Sequence, residues 1–222
     1  AAVATTTGRA LGVLYQFSIL FRGGSRIRLR WADLRPRWRV AATLIRVSAT
    51  GVAQFAVGHT SWIVLVRIIS VFGATALAGY TIGVRIFSFV ILPAWGLSGA
   101  AATMVGQNLG ASQPSRAERA VWLTCVYDMF YMAAVGVAFI VMPETLVRLF
   151  TSDPGVIPHG VACLRIVALG NLGYGLGMVL VQAFNGAGDT VTPTLINIVG
   201  FWLVEIPLAW ALAFWAGWEV NG

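Results

Sequence analysis

The chain has 222 residues, of which 58% are hydrophobic, 12% aromatic and only 10% charged. Soluble domains carry about 25% charged residues, so this composition excludes an ordinary soluble domain and indicates a multi-pass membrane protein. The net charge of +7 does not point to nucleic acid. Arg22, Arg26, Arg28, Arg30, Arg35, Arg37 and Arg39, against Asp33, place +6 of it in one stretch with neither aromatic interleaving nor a binding fold.

A bilayer span needs about 20 mostly apolar residues. Six segments qualify: 1–21, 41–70, 77–105, 119–142, 159–184 and 192–216. The first opens in an apolar, small-residue stretch with neither an initiator methionine nor a signal peptide, so the chain reads as a piece of a longer protein. The arginine-rich stretch 22–40 follows. Positive charge between two spans marks the cytoplasmic side and can also grip anionic headgroups.

In the second segment Ser48, Gly51, Gln54, Gly58 and Ser61 recur at three- and four-residue spacing and share one side of a helix. Such a face is either a tight helix–helix seam or the wall of a water-lined cavity, with Gln54 the candidate contact in the second case. His59 beside it is expected to be hydrogen-bonded structure. After the turn Phe72-Gly73-Ala74, Arg85 lies about eight residues into the third segment, too deep to reach the interface comfortably. It is expected to face the bundle interior, either contacting substrate or pairing with a carboxylate. Pro93 in this segment and Pro207 in the last should kink their helices or open a hydrogen-bond gap.

The third segment ends in Val105-Gly106-Gln107-Asn108-Leu109-Gly110-Ala111, followed by Arg116 and Arg119. This run reads as a helix leaving the bilayer, turning tightly and re-entering. Asp128 lies about nine residues into the next span, roughly 13 Å at helical rise and near mid-membrane. An ionised carboxylate there costs on the order of 3 kcal/mol unless it meets water or a partner, which suits it to carrying a proton. The alternative is a structural pair with an arginine or a neighbouring helix. Pro143 to Pro158 separates this span from 159–184, and a second glycine-rich turn, Asn185-Gly186-Ala187-Gly188-Asp189, separates that from the last span, where Glu205 is as deep as Asp128. With 22–40 inside, the loops 106–118 and 185–191 also face the cytoplasm and 143–158 faces outward.

Cys125 and Cys163 lie inside spans without partner spacing, which supports neither a disulfide nor a metal site. No nucleophile elbow, metal-ligand spacing or phosphate loop is present. No enzymatic activity, cofactor or bound metal is expected.

Two stretches combine into a family resemblance. Gly99-Ala100-Ala101-Ala102-Thr103-Met104-Val105-Gly106-Gln107-Asn108-Leu109-Gly110-Ala111, with Arg116-Ala117 after it, resembles the signature at the third-last inner loop of multidrug and toxic compound extrusion (MATE) transporters. Phe184-Asn185-Gly186-Ala187-Gly188-Asp189-Thr190, then Thr192-Pro193 and Asn197, resembles the inner loop two spans later. Gly73, Ala76-Leu77-Ala78-Gly79-Tyr80 and Pro93 also fit.

The resemblance implies an all-α transmembrane bundle of about six spans, part of a two-lobed, twelve-helix transporter. Residues 1–21 would be the sixth helix at the end of the first lobe, 22–40 the cytoplasmic inter-lobe loop, and 41–222 helices seven to eleven of the second lobe. It further implies a monomeric inner-membrane antiporter that exports drugs or other amphipathic, cationic solutes in exchange for H+ or Na+ by alternating access. Gly106, Gln107, Gly110, Gly186, Gly188 and Asp189 would form inner turns on which helices pivot.

The sodium-coupled branch has a glutamate in its seventh helix and an aspartate in its tenth; here Arg46–Ser70 and His159–Phe184 contain no acidic residue. The chain resembles more closely the archaeal and DNA-damage-inducible branch, whose essential aspartate stands in the first helix, outside this chain. No coupling residue transfers, and Asp128, Glu205, Arg85 and Gln54 remain candidates on physical grounds. Two other functions fit the pattern: a flippase for lipid-linked glycans, in which Arg67, Arg85 and Arg165 would meet pyrophosphate, and a non-transporting membrane scaffold.

Overall fold

The computed structural model describes residues 2–22 and 37–215. Most of the arginine-rich stretch 22–40, and the chain beyond Trp215, lie outside the described residues. The chain divides into two units, 1–48 and 49–222. The first holds α1 (Ala2–Arg22) and the opening turns of α2 (Trp38–Ser70). The α1 side chains are mostly exposed, and Phe17 stacks on Phe21 one turn on, with ring centroids 6.3 Å apart.

The second unit carries the rest of α2, then α3 (Ala74–Val90), α4 (Leu92–Gly110), α5 (Pro114–Val141), α6 (Pro143–Arg148) and α7 (Ile157–Gly186). The last span, Val191–Trp215, is assembled from α8 (Val191–Asn197), a π-helical stretch Ile198–Glu205, α9 (Ile206–Trp210) and a second π-helical stretch Ala211–Trp215. Proline opens α4, α5, α6 and α7 within their first two residues, where its missing N–H leaves no intrahelical bond unmade.

Among the described residues, four helices are long and apolar enough to cross a bilayer: α2, α5, α7 and the last span. The pair α3–α4, bent by 47° at Ile91, makes a fifth. The segment expected as a first span is a continuous 21-residue helix but falls short of that standard, because Thr5, Thr6, Thr7, Arg9 and Gln16 dilute it.

Both proline expectations hold. Pro93 sits at the α3–α4 bend, where the Tyr131 hydroxyl of α5 donates to the Val90 carbonyl at 2.6 Å. Pro207 lies between the two π-helical stretches, where the ladder must widen around its ring and missing donor.

The core is a three-helix packing of α4, α5 and α7, with the α5–α7 interface the most extensive and α3 laid against α7. Buried positions recur every three or four residues: Ala117, Ala120, Thr124, Asp128, Met132, Gly136 and Phe139 on α5; Gly160, Leu164, Ala168, Asn171, Gly175 and Val179 on α7. In lipid, where packing supplies most of the attraction, small residues let such helices approach closely. A Cβ on Gly79 of α3 would stand 2.5 Å from His159 Cβ, and one on Gly83 would stand 2.6 Å from Cys163 Sγ. Gly79 and Gly83, one turn apart, thus set the α3–α7 contact.

Candidate functional site

Three apolar clusters lie along the core. Ala101, Cys125 and Val179 form one; Ile91, Ala94 and Met132 form the next; Ile86, Phe139, Val147, Ile157, Leu164 and Ala168 form the third, beside α6. Between the first two, one turn from each, stand Ser98 on α4, Asp128 on α5 and Gly175 on α7. Asp128 is fully buried, and neither carboxylate oxygen has a hydrogen-bond partner. A Cβ on Gly175 would stand 2.9 Å from Asp128 Oδ2 and 2.9 Å from Met132 Cγ, so the carboxyl occupies the space that a side chain at 175 would need. Ser98, also buried, donates to the Trp95 carbonyl at 3.0 Å.

One turn before Gly175 on α7, Asn171 is 1% exposed, and both its amide nitrogen and its oxygen are unpartnered. Its amide nitrogen would lie 3.7 Å from a Cβ on Gly136 of α5. In the sequence Asn171 is an isolated amide in an apolar span, and its place one turn from Gly175 on the buried stripe of α7 is the signal that finds it.

Glu205 stands apart from this core. It is half-buried in the last span, and the hydroxyl of buried Ser61 donates to its Oε2 at 3.5 Å. This contact belongs to a seam between α2 and the last span. Thr50 and Thr190 hydroxyls lie 2.5 Å apart, a Cβ on Gly58 would stand 3.7 Å from the Phe201 ring, and Trp202 Nε1 donates to the Val57 carbonyl at 3.3 Å. The patterned face of α2 is therefore a helix–helix seam toward Ser61, while Ser48 at its other end is exposed and Gln54 half-buried. His59 is exposed and bonded through Nδ1 to the Phe55 carbonyl at 3.1 Å.

Arg85 departs from expectation. The face of α3 that packs inward is Ala76, Gly79, Gly83 and Ile86; at 100° per residue Arg85 points away from it and is exposed. Arg67 and Arg165 are exposed as well. Among the described residues the one ion pair is Arg148–Glu144, at 2.7 Å on the exposed surface of α6, so neither Asp128 nor Glu205 is paired with an arginine.

The two glycine-rich turns share one geometry. Gln113 N–H reaches the Asn108 carbonyl at 2.9 Å and Ser112 N–H the Leu109 carbonyl at 2.9 Å; Asp189 N–H reaches the Phe184 carbonyl at 3.0 Å and Gly188 N–H the Asn185 carbonyl at 3.1 Å. Each is a Schellman motif, with Ser112 (φ 57°) and Gly188 (φ 85°) in the left-handed position. Gly110, expected at the turn itself, is the last helical residue of α4 and faces open space. Gln107 is exposed and uses its carbonyl to accept the Ala111 N–H at 3.1 Å.

Gly186 lies against α4, where a Cβ would overlap the Ala102 carbonyl oxygen, and a Cβ on Gly106 would stand 3.2 Å from the Gly186 carbonyl. Both turns therefore sit at the same end of the unit. Asp189 caps α8, accepting from Val191 N–H at 3.1 Å, Thr192 N–H at 3.0 Å and the Thr192 hydroxyl at 2.5 Å. The Thr192 hydroxyl, then its amide, hold the Asp189 carboxyl below the usual aspartate range.

Comparison with known proteins agrees with this architecture. Residues 51–211 match the family model described as MatE. The chain is 27% identical over 212 residues to a probable multidrug resistance protein NorM of Thermotoga maritima, covering 96% of this chain and 46% of that protein. It is 24% identical over 182 residues to a probable multidrug resistance protein YpnP of Bacillus subtilis, covering 82% and 41%. Among solved structures it is similar in fold to a MOP superfamily transporter from Pyrococcus furiosus, with a TM-score of 0.73 at 16% identity over 80% of this chain and 39% of that one. An outward-facing multidrug resistance MATE family transporter gives the same TM-score and coverage. The chain thus spans under half the length of the curated relatives it matches.

Proposed function

With the chain belonging to the MatE family of membrane transporters, we propose that the full-length protein is a secondary antiporter of the cytoplasmic membrane, exporting drugs and other amphipathic cations in exchange for protons by alternating access. In this reading residues 1–21 end the first lobe, 22–40 connect the lobes on the cytoplasmic side with their last residues, from Trp38, already in α2, and 41–222 belong to the second lobe. The family relationship supports drug export, since the curated relatives are multidrug resistance proteins.

The observation that carries proton coupling is Asp128, buried among α4, α5 and α7 with neither oxygen partnered and no arginine paired to it among the described residues. A buried charge that nothing compensates is costly, and a proton removes it without needing space. A sodium ion needs a shell of oxygens, and here the Gly175 backbone and Met132 crowd the carboxyl. Binding the proton favours the closed packing of α5 on α7; releasing it requires access to water. The charge on Asp128 and the conformation of the lobe are thereby linked.

The flippase reading calls for cationic side chains converging on a cavity, and Arg67, Arg85 and Arg165 are all exposed. The test is efflux of a fluorescent amphipathic cation from proteoliposomes holding the full-length protein, driven by a pH gradient. Asp128→Asn should lower the pH-driven rate by about a hundredfold or more, the size of a lost general proton-transfer group. A wild-type rate from that variant would remove Asp128 from coupling. Movement that follows a sodium gradient alone would replace the proton, and no gradient-dependent movement at all would leave the scaffold reading.

A further inference from the structure

Asp128 shares its buried seam with a second group that lacks a partner. Along α5 the stripe runs Asp128, Met132 and Gly136; along α7 the facing stripe runs Gly175, Asn171 and Ala168. At one end the Asp128 carboxyl fills the space beside Gly175, and at the other the Asn171 amide lies over Gly136. Gly175 and Asn171 are four residues apart, about 6 Å along the helix. Met132 stands between the two groups, wholly buried, with its Cγ against Gly175. A carboxyl and a primary amide are thus separated by one methionine side chain in a sealed interface, and neither has a hydrogen-bond partner.

The other donors around Asp128 are committed to backbone. Ser98 donates to the Trp95 carbonyl, Thr124 to the Ala120 carbonyl at 2.8 Å, and Tyr131 to the Val90 carbonyl. Farther along α7, the Asn185 amide donates to Gln182 Oε1 at 2.9 Å. Among the described residues, Asn171 Nδ2 is the one buried side-chain nitrogen without an acceptor. The neighbouring elements bring no cation in its stead. α4 carries no titratable residue, α3 turns Arg85 to the surface, and on α7 Arg165 is exposed and Tyr174 is exposed against Phe87. Cys125 and Tyr131 flank Asp128 on α5 itself and carry no positive charge. A cavity of about 290 Å³, lined by His159 and Cys163 of α7 and by Glu205, lies on the opposite side of α7 from Asp128.

A neutral carboxyl tolerates this isolation, whereas an ionised one needs a donor, because a buried charge left without one is costly. Met132 allows the exchange: it is unbranched, with three rotatable bonds, and can leave the seam by side-chain rotation. We propose that Asn171 is the positioning residue for the charged form of Asp128: Met132 swings aside, water enters, and the Asn171 amide donates through that water to the carboxylate. The carboxyl O–H bond breaks, its electron pair stays on the carboxylate and its proton passes to the entering water. Reprotonation expels the water and reseats Met132. The proposal rests on the proton-coupling reading for its purpose, and it gives that reading a second residue on the facing helix.

The test is infrared difference spectroscopy of the purified full-length protein, titrated in detergent without any gradient. The protonated Asp128 carboxyl is read by its C=O stretch, assigned by the loss of that band in Asp128→Asn. Asn171→Leu, similar in size but without the donor, should raise the pH at which half the band disappears by about one unit or more, the loss of one hydrogen bond to a charged group. Asn171→Gln, which restores an amide, should return the midpoint toward wild type. A packing role alone would alter the unfolding temperature and leave the midpoint in place. An unchanged midpoint in Asn171→Leu, the same rise in both variants, or no Asp128-dependent band overturns the proposal. Should Asn171→Leu fail to fold, wild-type protein carrying isotopically labelled asparagine decides: a label-sensitive amide band must change together with the Asp128 band, and its absence refutes the partnership. Wild-type efflux from Asp128→Asn would remove the coupling and leave this titration standing, whereas an unmoved midpoint would remove Asn171 and leave the coupling.

Discussion

Gly186 and Gly110 each close the last turn of a helix before a Schellman motif, and the residues around them separate their roles. At Gly186 the α7 backbone rests on α4: a Cβ would stand 2.7 Å from Ala102 Cα and 2.8 Å from its carbonyl carbon. Backbone on both sides leaves nothing flexible to move away. At Gly110 a Cβ meets nothing within 4 Å. Gly186→Ala should therefore destabilise the full-length protein by about 3 kcal/mol, the upper range for overpacking, whereas Gly110→Ala should stay within about 0.5 kcal/mol. Thermal unfolding of the two purified variants measures the difference, and equal shifts would refute the assigned contact. The result also bears on movement. A glycine pressed against a neighbouring backbone fastens α7 to α4, so a pivot at these turns would have to carry both helices together.

The elements show which signals travel along a sequence and which do not. The start of α8 depends on Asp189, whose carboxylate gathers two amides and a hydroxyl. Its folded pKa lies below its unfolded value of 3.8, so the cap contributes fully above that value and is lost as pH falls through the folded one. Asp189→Asn should accordingly lower Tm at pH 7, and the gap to wild type should narrow as pH is taken down through and below 3.8. A gap that persists there would mean the charge is not what holds the turn.

Spans, proline bends and paired turns were legible because each is written locally, in hydropathy, in a missing donor or in a turn residue. The first segment is helical over its expected length, and its threonines and Arg9 dilute its hydropathy. Depth along a helix placed Arg85 within the membrane but said nothing of its side, which the Ala76, Gly79, Gly83 and Ile86 spacing does give. Asn171 and the cavity beside Cys163 arise from contacts between α5, α7 and the last span, and no single segment encodes them.

Across the whole second unit, α7 is a shared wall. Leu164, Ala168, Asn171 and Gly175 face the core that holds Asp128, while His159, Cys163, Ile166 and Val167 face the cavity that holds Glu205. The unit also has two distinct ends. Gly106 meets Gly186 at one, bringing the turns after α4 and α7 together; at the other, Gly79 of α3 meets Val156 and Gly160, and a Cβ on Gly155 would stand 3.7 Å from Thr75. One crossing of α5 therefore separates Ser112 from Ser152. By the positive-inside rule, Arg116 and Arg119 beside the first end lead us to propose that it faces the cytoplasm. In intact cells expressing the full-length protein, a membrane-impermeant maleimide should label Ser152→Cys above the background of the parent protein, and should label Ser112→Cys only after permeabilisation. Labelling of both from outside would break the two-ended arrangement itself, whereas the reversed pattern would keep the fold and invert its orientation, placing the Asp189 turn on the outer face as well.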